Sequence, residues 1–115
     1  MAYTRDYDSK GDSLFIHKKK IKTRFSIELG DNYVIDIDGN GNVCGVEIFN
    51  ASKLFKVPKC LLKKITNSTI AVKRSGNLIL IFLYFYFEKT IAERHNKMDK
   101  IVHTVTIPKK IASTA

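Results

Sequence analysis

A chain of 115 residues, 44% hydrophobic and 27% charged, is long enough for one buried core and too short for two. Its longest apolar run, Leu78 to Phe87, falls far short of the ~20 residues a helix needs to cross a bilayer, which excludes a helical membrane span. The net charge of +9 is uneven: residues 1–50 carry seven Lys/Arg against eight Asp/Glu, and residues 51–115 carry thirteen against three, or +10.

A half so basic is expected to attract something acidic: nucleic acid, an anionic surface or an acidic protein. The opening MAYTRDYDSK has no apolar run and does not read as a secretory signal. Cys44 and Cys60 form no metal or redox spacing. A cytoplasmic protein with reduced thiols, no cofactor and no membrane contact is the expectation.

Tyr3 to Tyr7 alternates and predicts a short edge strand, with a turn at Ser9-Lys10-Gly11-Asp12. Ser13 to Lys20 continues as a strand with Leu14 and Ile16 inward and His17 outward, where no second His, Cys or carboxylate is spaced to help it. Lys18, Lys19, Lys20, Lys22 and Arg24 read first as an edge charged against aggregation, and second as a phosphate-contacting hairpin. Arg24 to Leu29 alternates, with Phe25, Ile27 and Leu29 inward. A turn at Gly30-Asp31-Asn32 sets Leu29 against Tyr33, Ser26 against Asp36 and Arg24 against Asp38.

Asp31 to Phe55 is the stretch on which the rest is organised. Tyr33 to Asp38 and Val43 to Phe49 alternate with period two, and Gly39-Asn40-Gly41-Asn42 between them is a hairpin turn. The expected register faces Asp38 with Val43 and Ile37 with Cys44. Ile35, Ile37, Cys44, Val46 and Ile48 then line one face, and Asp36, Asp38 and Glu47 share the other. The same letters spell a calcium loop, since Asp36, Asp38, Asn40, Gly41 and Glu47 fill D-x-[DN]-x-[DN]-G-x5-E. That loop belongs between helices, whereas these flanks read as strands. A cation-binding hairpin at Asp36, Asp38, Asn40 and Glu47 is therefore the third reading of the chain, and the leading one assigns no metal.

An ordered set of short motifs spans this half: Tyr7-Asp8, Asp12-Ser13-Leu14-Phe15-Ile16, Ile27-Glu28-Leu29-Gly30-Asp31, Asp36 to Val43, Gly45-Val46-Glu47-Ile48 and Ala51-Ser52-Lys53. In them the chain resembles the small prokaryotic family catalogued as domain of unknown function 2283. The resemblance supports the hairpin and implies no established activity, cofactor or catalytic residue. Members encoded beside small toxin-like proteins imply an antitoxin-like role.

Asn50 is the expected N-cap of a helix from Ala51 to Phe55, broken at Pro58 and resumed from Lys59 to Ile65. Leu54, Leu61, Leu62 and Ile65 are expected on the sheet, with Lys53, Lys56, Lys59, Lys63 and Lys64 outside. Thr66-Asn67-Ser68 ends the helix, Thr69 to Lys73 is a short strand, and Ser75-Gly76-Asn77 turns. Leu78 to Ile91 predicts the longest strand, apolar on both faces as far as Phe87. Glu93 to Asp99, with His95, reads as a polar loop; Ile101 to Ile107 is a strand stopped by Pro108; Lys109 to Ala115 is a frayed tail.

No G-x-S-x-G, C-x-x-C, P-loop or G-x-G-x-x-G is present, and His17, His95 and His103 lie on different elements. The reading is a single mainly-β α+β domain: an antiparallel meander of about seven strands with one short Pro-broken helix packed on the sheet. Its parts are a hairpin meander over 1–50, the helix over 51–65, a second β-hairpin region over 66–108 and the tail over 109–115. The function read from it is a non-catalytic protein-interaction module, homodimeric through Leu80, Phe82, Tyr84 and Tyr86. The alternative is a nucleic-acid-binding or antitoxin-like regulatory protein using Lys59, Lys63, Lys64, Lys73 and Arg74.

Overall fold

The structure, a computed structural model, describes residues 2–87 and 100–112. The expected loop over Glu93–Asp99 with His95, the strand's continuation from Glu88 to Ile91 and the last three residues of the tail lie outside the described residues. The elements are β1 (Tyr3–Asp8), β2 (Ser13–Lys18), β3 (Thr23–Leu29), β4 (Tyr33–Asp38), β5 (Val43–Phe49), α1 (Ala51–Phe55), α2 (Lys59–Leu62), β6 (Ile65–Ser75), β7 (Leu78–Phe87), β8 (Lys100–Pro108) and α3 (Lys109–Ala112).

The strands are antiparallel and mainly β with short helices, as the alternation implies, but they form two sheets and not one meander. One is five-stranded in the order β1-β2-β5-β4-β3, and the other is three-stranded in the order β6-β7-β8. The break in sequential order lies between β2 and β3: β2 takes β5 as its second neighbour, and β3 falls to the far edge. The described residues thus hold eight strands, where about seven were expected.

Period two decides which side chains meet between the sheets. Leu14, Ile16, Ile35, Ile37, Val46 and Ile48 point in from the first sheet. Ile79, Ile81, Leu83 and Phe85 of β7 point in from the second, with Ile101, Val105 and Ile107 of β8 beside them. All belong to one apolar cluster, and each such side chain contributes about 1.5–3 kcal/mol by leaving water.

Two β-bulges refine the hairpin register. Asp36 stands opposite Gly45, but Ile37 stands opposite Val43, so Cys44 is the extra residue on β5. On the other side, Thr23 faces Asp38 and Phe25 faces Ile37, leaving Arg24 as the extra residue on β3. The expected pairs Ile37–Cys44, Asp38–Val43 and Arg24–Asp38 are therefore displaced by one residue, whereas Ser26–Asp36 and Leu29–Tyr33 hold. The shift sends Val43 into the core. The Cys44 thiol lies against the Asp36 carbonyl at 3.5 Å and Thr23 Oγ1 at 3.7 Å.

The helical region is shorter than its periodicity predicts. Pro58 is extended and α2 ends at Leu62, because Ile65 already pairs with Phe87 at the start of β6. Thr66 to Ser68, expected to terminate a helix, belong to that eleven-residue strand. The tail's first four residues are not frayed: Lys109–Ala112 is a helical turn whose first N–H bonds the Asn77 carbonyl at 2.9 Å. No helix among the described residues is long and apolar enough to cross a membrane.

Candidate interaction surfaces

Asp12 ties the first sheet to α1. It is 6% exposed and left-handed at φ 53°, where a short polar side chain is tolerated. Its Oδ1 accepts from the Tyr7 hydroxyl at 2.7 Å and from the Ser52 N–H at 3.0 Å; its Oδ2 accepts from Ser52 Oγ at 2.7 Å. Its carbonyl takes the Ala51 N–H at 3.0 Å. The α1 cap is thus Asp12, forty residues away from Ser52, and not the side chain of Asn50, which reaches Asn32 instead. Burial pushes the Asp12 carboxyl up, but the hydrogen bonds from Tyr7 and Ser52 outweigh it and, with the Lys59 charge, hold it below the usual carboxylate range. Burial, then the bond to Asp12, raises the Tyr7 phenol far above its ordinary value.

On the outer face of the same sheet, His17 and Asp36 flank Gly45 from neighbouring strands. With no Cβ between them, His17 Nε2 comes to 4.0 Å from Asp36 Oδ2. His17 is therefore not the isolated outward residue its spacing predicts. Its Nδ1 lies 2.8 Å from the Lys18 carbonyl, its Nε2 lies 3.0 Å from Thr23 Oγ1, and its ring stacks on Phe15. Ser26 donates to Asp36 Oδ1 at 2.6 Å. The partners come from four strands, so no short motif could have shown the cluster.

The residues of the calcium-loop match lie on a hairpin, with β4 and β5 as flanks where the motif requires helices. Asp38 Oδ1 accepts from the main-chain N–H of Asn40 at 2.8 Å and of Asn42 at 3.0 Å, which closes the turn. Asp36 is engaged by Ser26, and Glu47 stands opposite Val34 and Phe15. Gly41, at φ 80°, supplies the left-handed turn residue. Among the described residues, no three of His, Cys, Asp and Glu gather as a metal-holding group.

The five basic residues singled out by sequence do not form one patch. Lys59 and Lys63 belong to α2 and its C-terminus, with Lys64 next in the chain. Lys73 and Arg74 lie at the far end of β6, roughly 30 Å from its start at ~3.3 Å per residue. Lys59 Nζ donates to the Ser9 carbonyl at 3.0 Å. Lys63 instead shares a cleft of about 530 Å³ with Arg5 and Lys19, along β1. Arg74 shares another, of about 400 Å³, with Lys18, Asn42, Val43 and Val72. Arg5 was missed because it lies in the half with no net positive charge; Lys18 and Lys19 were read as a separate basic cluster, and nothing in the sequence joins Lys19 to Lys63 or Lys18 to Arg74.

The three-stranded sheet has one buried and one open face. The odd residues of β7, from Ile79 to Phe87, are buried, whereas Leu80, Phe82 and Tyr84 are only partly covered. Leu78 is 42% and Tyr86 36% exposed; Val102, paired with Tyr84, is 48% exposed. Helix α1 lies on the other, inward side of this sheet. Phe55 of α1 packs its ring against Phe85 at 5.9 Å and His103 at 4.9 Å, both inward-facing. His103 Nε2 lies 2.6 Å from the Tyr33 hydroxyl. Burial pushes the imidazole down and the phenol up, which keeps both neutral and the hydroxyl the donor.

The family described as "Protein of unknown function (DUF2283)" matches residues 5–52, from within β1 through the Ser52 cap. An uncharacterized protein of Methanocaldococcus jannaschii, MJ0789, is 40% identical over 82 residues, 70% of each chain. A Methanosarcina mazei protein named "Putative hypoxanthine phosphoribosyltransferase" is 37% identical over 95 residues, 83% of this chain and 73% of its own. No solved structure matches. Tyr7, Asp12 and Ser52, three residues of the motifs read from sequence, meet in the capping network inside the matched segment. The chain belongs to the DUF2283 family of proteins of unknown function.

Proposed function

We propose that the chain is a non-catalytic protein-interaction module that pairs with a second copy of itself through the outer face of the β6-β7-β8 sheet. The observation that carries this is the split of β7: its odd face fills the core, while Leu80, Phe82, Tyr84 and Tyr86 stay open. A face of three strands and ten residues measures on the order of 450 Å². Two such faces bury roughly 900 Å², at the weak end of specific interfaces. Lys73, beside Leu80, and Lys100, beside Tyr86, share this outer face but stand at its opposite ends, where their ammonium groups reach water at the rim of the paired strips. Sedimentation at micromolar concentration should give twice the 13.1 kDa chain mass, and Phe82→Lys with Tyr84→Lys should give the single mass. A wild-type chain that sediments as a monomer at hundreds of micromolar refutes the pairing.

Cytoplasmic residence goes with this reading, since Cys44 and Cys60 are free thiols. The name borne by the Methanosarcina relative is that of an enzyme, and this chain spells neither a P-loop nor a G-x-G-x-x-G fingerprint. The rival reading is nucleic-acid binding, supported by the +10 carried by residues 51–115. It requires affinity that falls steeply with salt and drops with Lys63→Glu.

A further inference from the structure

The main chain of β1 has an unused edge. Among the described residues β1 pairs with β2 alone. The Lys19 N–H bonds the Ala2 carbonyl, which fixes the phase of that ladder. By alternation, Thr4, Asp6 and Asp8 spend their N–H and C=O groups on β2, and those of Tyr3, Arg5 and Tyr7 point away from it. Among the described residues nothing bonds these six groups. The cleft of about 530 Å³ runs along this edge, lined by five consecutive residues of β1 and, across it, by Leu62, Lys63 and Ile65.

Its charge is positive. Arg5, Lys19 and Lys63 line it against the single carboxylate of Asp6. Arg5 uses its Nε and Nη2 on the Ile65 and Thr66 carbonyls, which holds the guanidinium in the cleft without a counter-charge. Among the described residues no carboxylate pairs with any of these three cations.

We infer that this edge accepts an extended acidic peptide segment from a partner protein, added to the five-stranded sheet as a further strand. Unpaired donors and acceptors at strand spacing are matched by another strand, and the cations select carboxylates on it. A second copy of the chain fits poorly. A two-fold axis through the edge would set Arg5 against Arg5 and bring Lys19 and Lys63 towards their own copies. Nucleic acid fits poorly too, because the Tyr3 and Tyr7 rings are turned inward, with hydroxyls on the Ile70 carbonyl and Asp12. The inference deepens the interaction-module reading but does not need the dimer.

The test is residue-resolved amide hydrogen exchange by NMR on the full chain. The probes are a blocked Thr-Glu-Thr-Glu-Thr-Glu-Thr peptide, its lysine counterpart and a twelve-nucleotide oligothymidine. The glutamate peptide should slow exchange at Tyr3, Arg5 and Tyr7 by about tenfold or more at saturation, and the lysine peptide should not. Lys19→Glu with Lys63→Glu, both exposed, should weaken its Kd by about tenfold. Equal binding of both peptides, protection elsewhere, no protection at millimolar peptide, or protection of these amides by the oligonucleotide alone overturns the inference. Sedimentation separates it from the dimer: a monomer whose β1 amides are protected loses the dimer and keeps the strand addition.

Discussion

Gly45→Ala should be one of the most damaging single-methyl additions in this chain. Gly45 needs no left-handed backbone, so in an open strand alanine would be expected to stabilise by roughly 0.5–1 kcal/mol through the unfolded state. The surroundings reverse the sign. A Cβ there would lie 2.5 Å from His17 Cδ2, 2.9 Å from Asp36 Oδ2 and 3.1 Å from His17 Cγ. Carbon atoms rest at about 3.5–4.0 Å, so the imidazole must retreat by roughly 1 Å. It is held on three sides: by the Lys18 carbonyl at 2.8 Å, by Thr23 at 3.0 Å and by the Phe15 ring. Overpacking costs about 1–3 kcal/mol, and one lost hydrogen bond adds about 1 kcal/mol. The net expectation is about 2–3 kcal/mol of destabilisation, a fall in Tm on the order of 10 °C for a chain of this size. Urea unfolding followed by circular dichroism measures it. In the His17→Ala background the same substitution should cost less than about 1 kcal/mol, because the ring that collides has gone. A neutral or stabilising Gly45→Ala in the wild type, or an undiminished cost beside His17→Ala, would refute the reasoning.

Three further substitutions or titrations follow from the buried polar groups. Asp12→Ala strands the Tyr7 hydroxyl and both Ser52 donors, and should cost about 3–4 kcal/mol in urea unfolding, with Asp12→Asn milder because it keeps acceptor oxygen and left-handed tolerance. Ser68 Oγ is buried with no partner among the described residues, so Ser68→Ala should be neutral or stabilising by up to about 1 kcal/mol. Stability should fall in two stages on acidification. His103, depressed in the folded state, begins to cost stability as pH drops below its ordinary 6.5, where the unfolded chain takes the proton first. Asp12, also depressed, holds its contribution above its ordinary 3.8 and loses it as pH falls further through the folded value. His103→Asn should remove the upper stage alone; a melting profile flat from pH 7 to 5 in the wild type would contradict it.

Local alternation was enough to place the first five strands, the Gly39–Asn42 turn and the buried face of β7, because a half-buried strand writes its period into adjacent residues. It could not show which strand β2 takes as its second neighbour. That choice depends on Ile16 meeting Val46 across 30 residues and Leu14 meeting Ile48 across 34. The bulges at Arg24 and Cys44 were equally silent, since an extra residue leaves the letters alternating while it moves the partners by one. Thr66 to Ser68 read as a helix end because three polar letters in a row look like a terminus, although only Thr66 and Asn67 are exposed and Ser68 is buried. Of the site residues, the open face of β7 was legible as ten apolar letters in a row. The Asp12 cap, the His17–Asp36 approach over Gly45 and the β1 cleft all join residues from separate elements, and none has a local pattern.

The extent of the family match carries a last consequence. Residues 5–52 supply most of the five-stranded sheet, and the Tyr7–Asp12–Ser52 cap closes within that matched segment, although Arg5 and Tyr33 reach beyond it to Ile65, Thr66 and His103. Its hydrophobic demand does not. Leu14, Ile16, Ile35, Ile37, Val46 and Ile48 are each at most 1% exposed only because the second sheet covers them. The cover comes from Ile79, Ile81, Leu83 and Phe85 with Ile101, Val105 and Ile107 of β8 beside them, all beyond residue 52. A sheet with one closed polar network and one bare apolar face needs a lid. In this chain the lid is itself a sheet, and a sheet lid has two faces. Closing the first core with β7 therefore creates the second apolar surface, at Leu80, Phe82, Tyr84 and Tyr86. The interaction face proposed for this protein is the reverse side of the element that completes its fold.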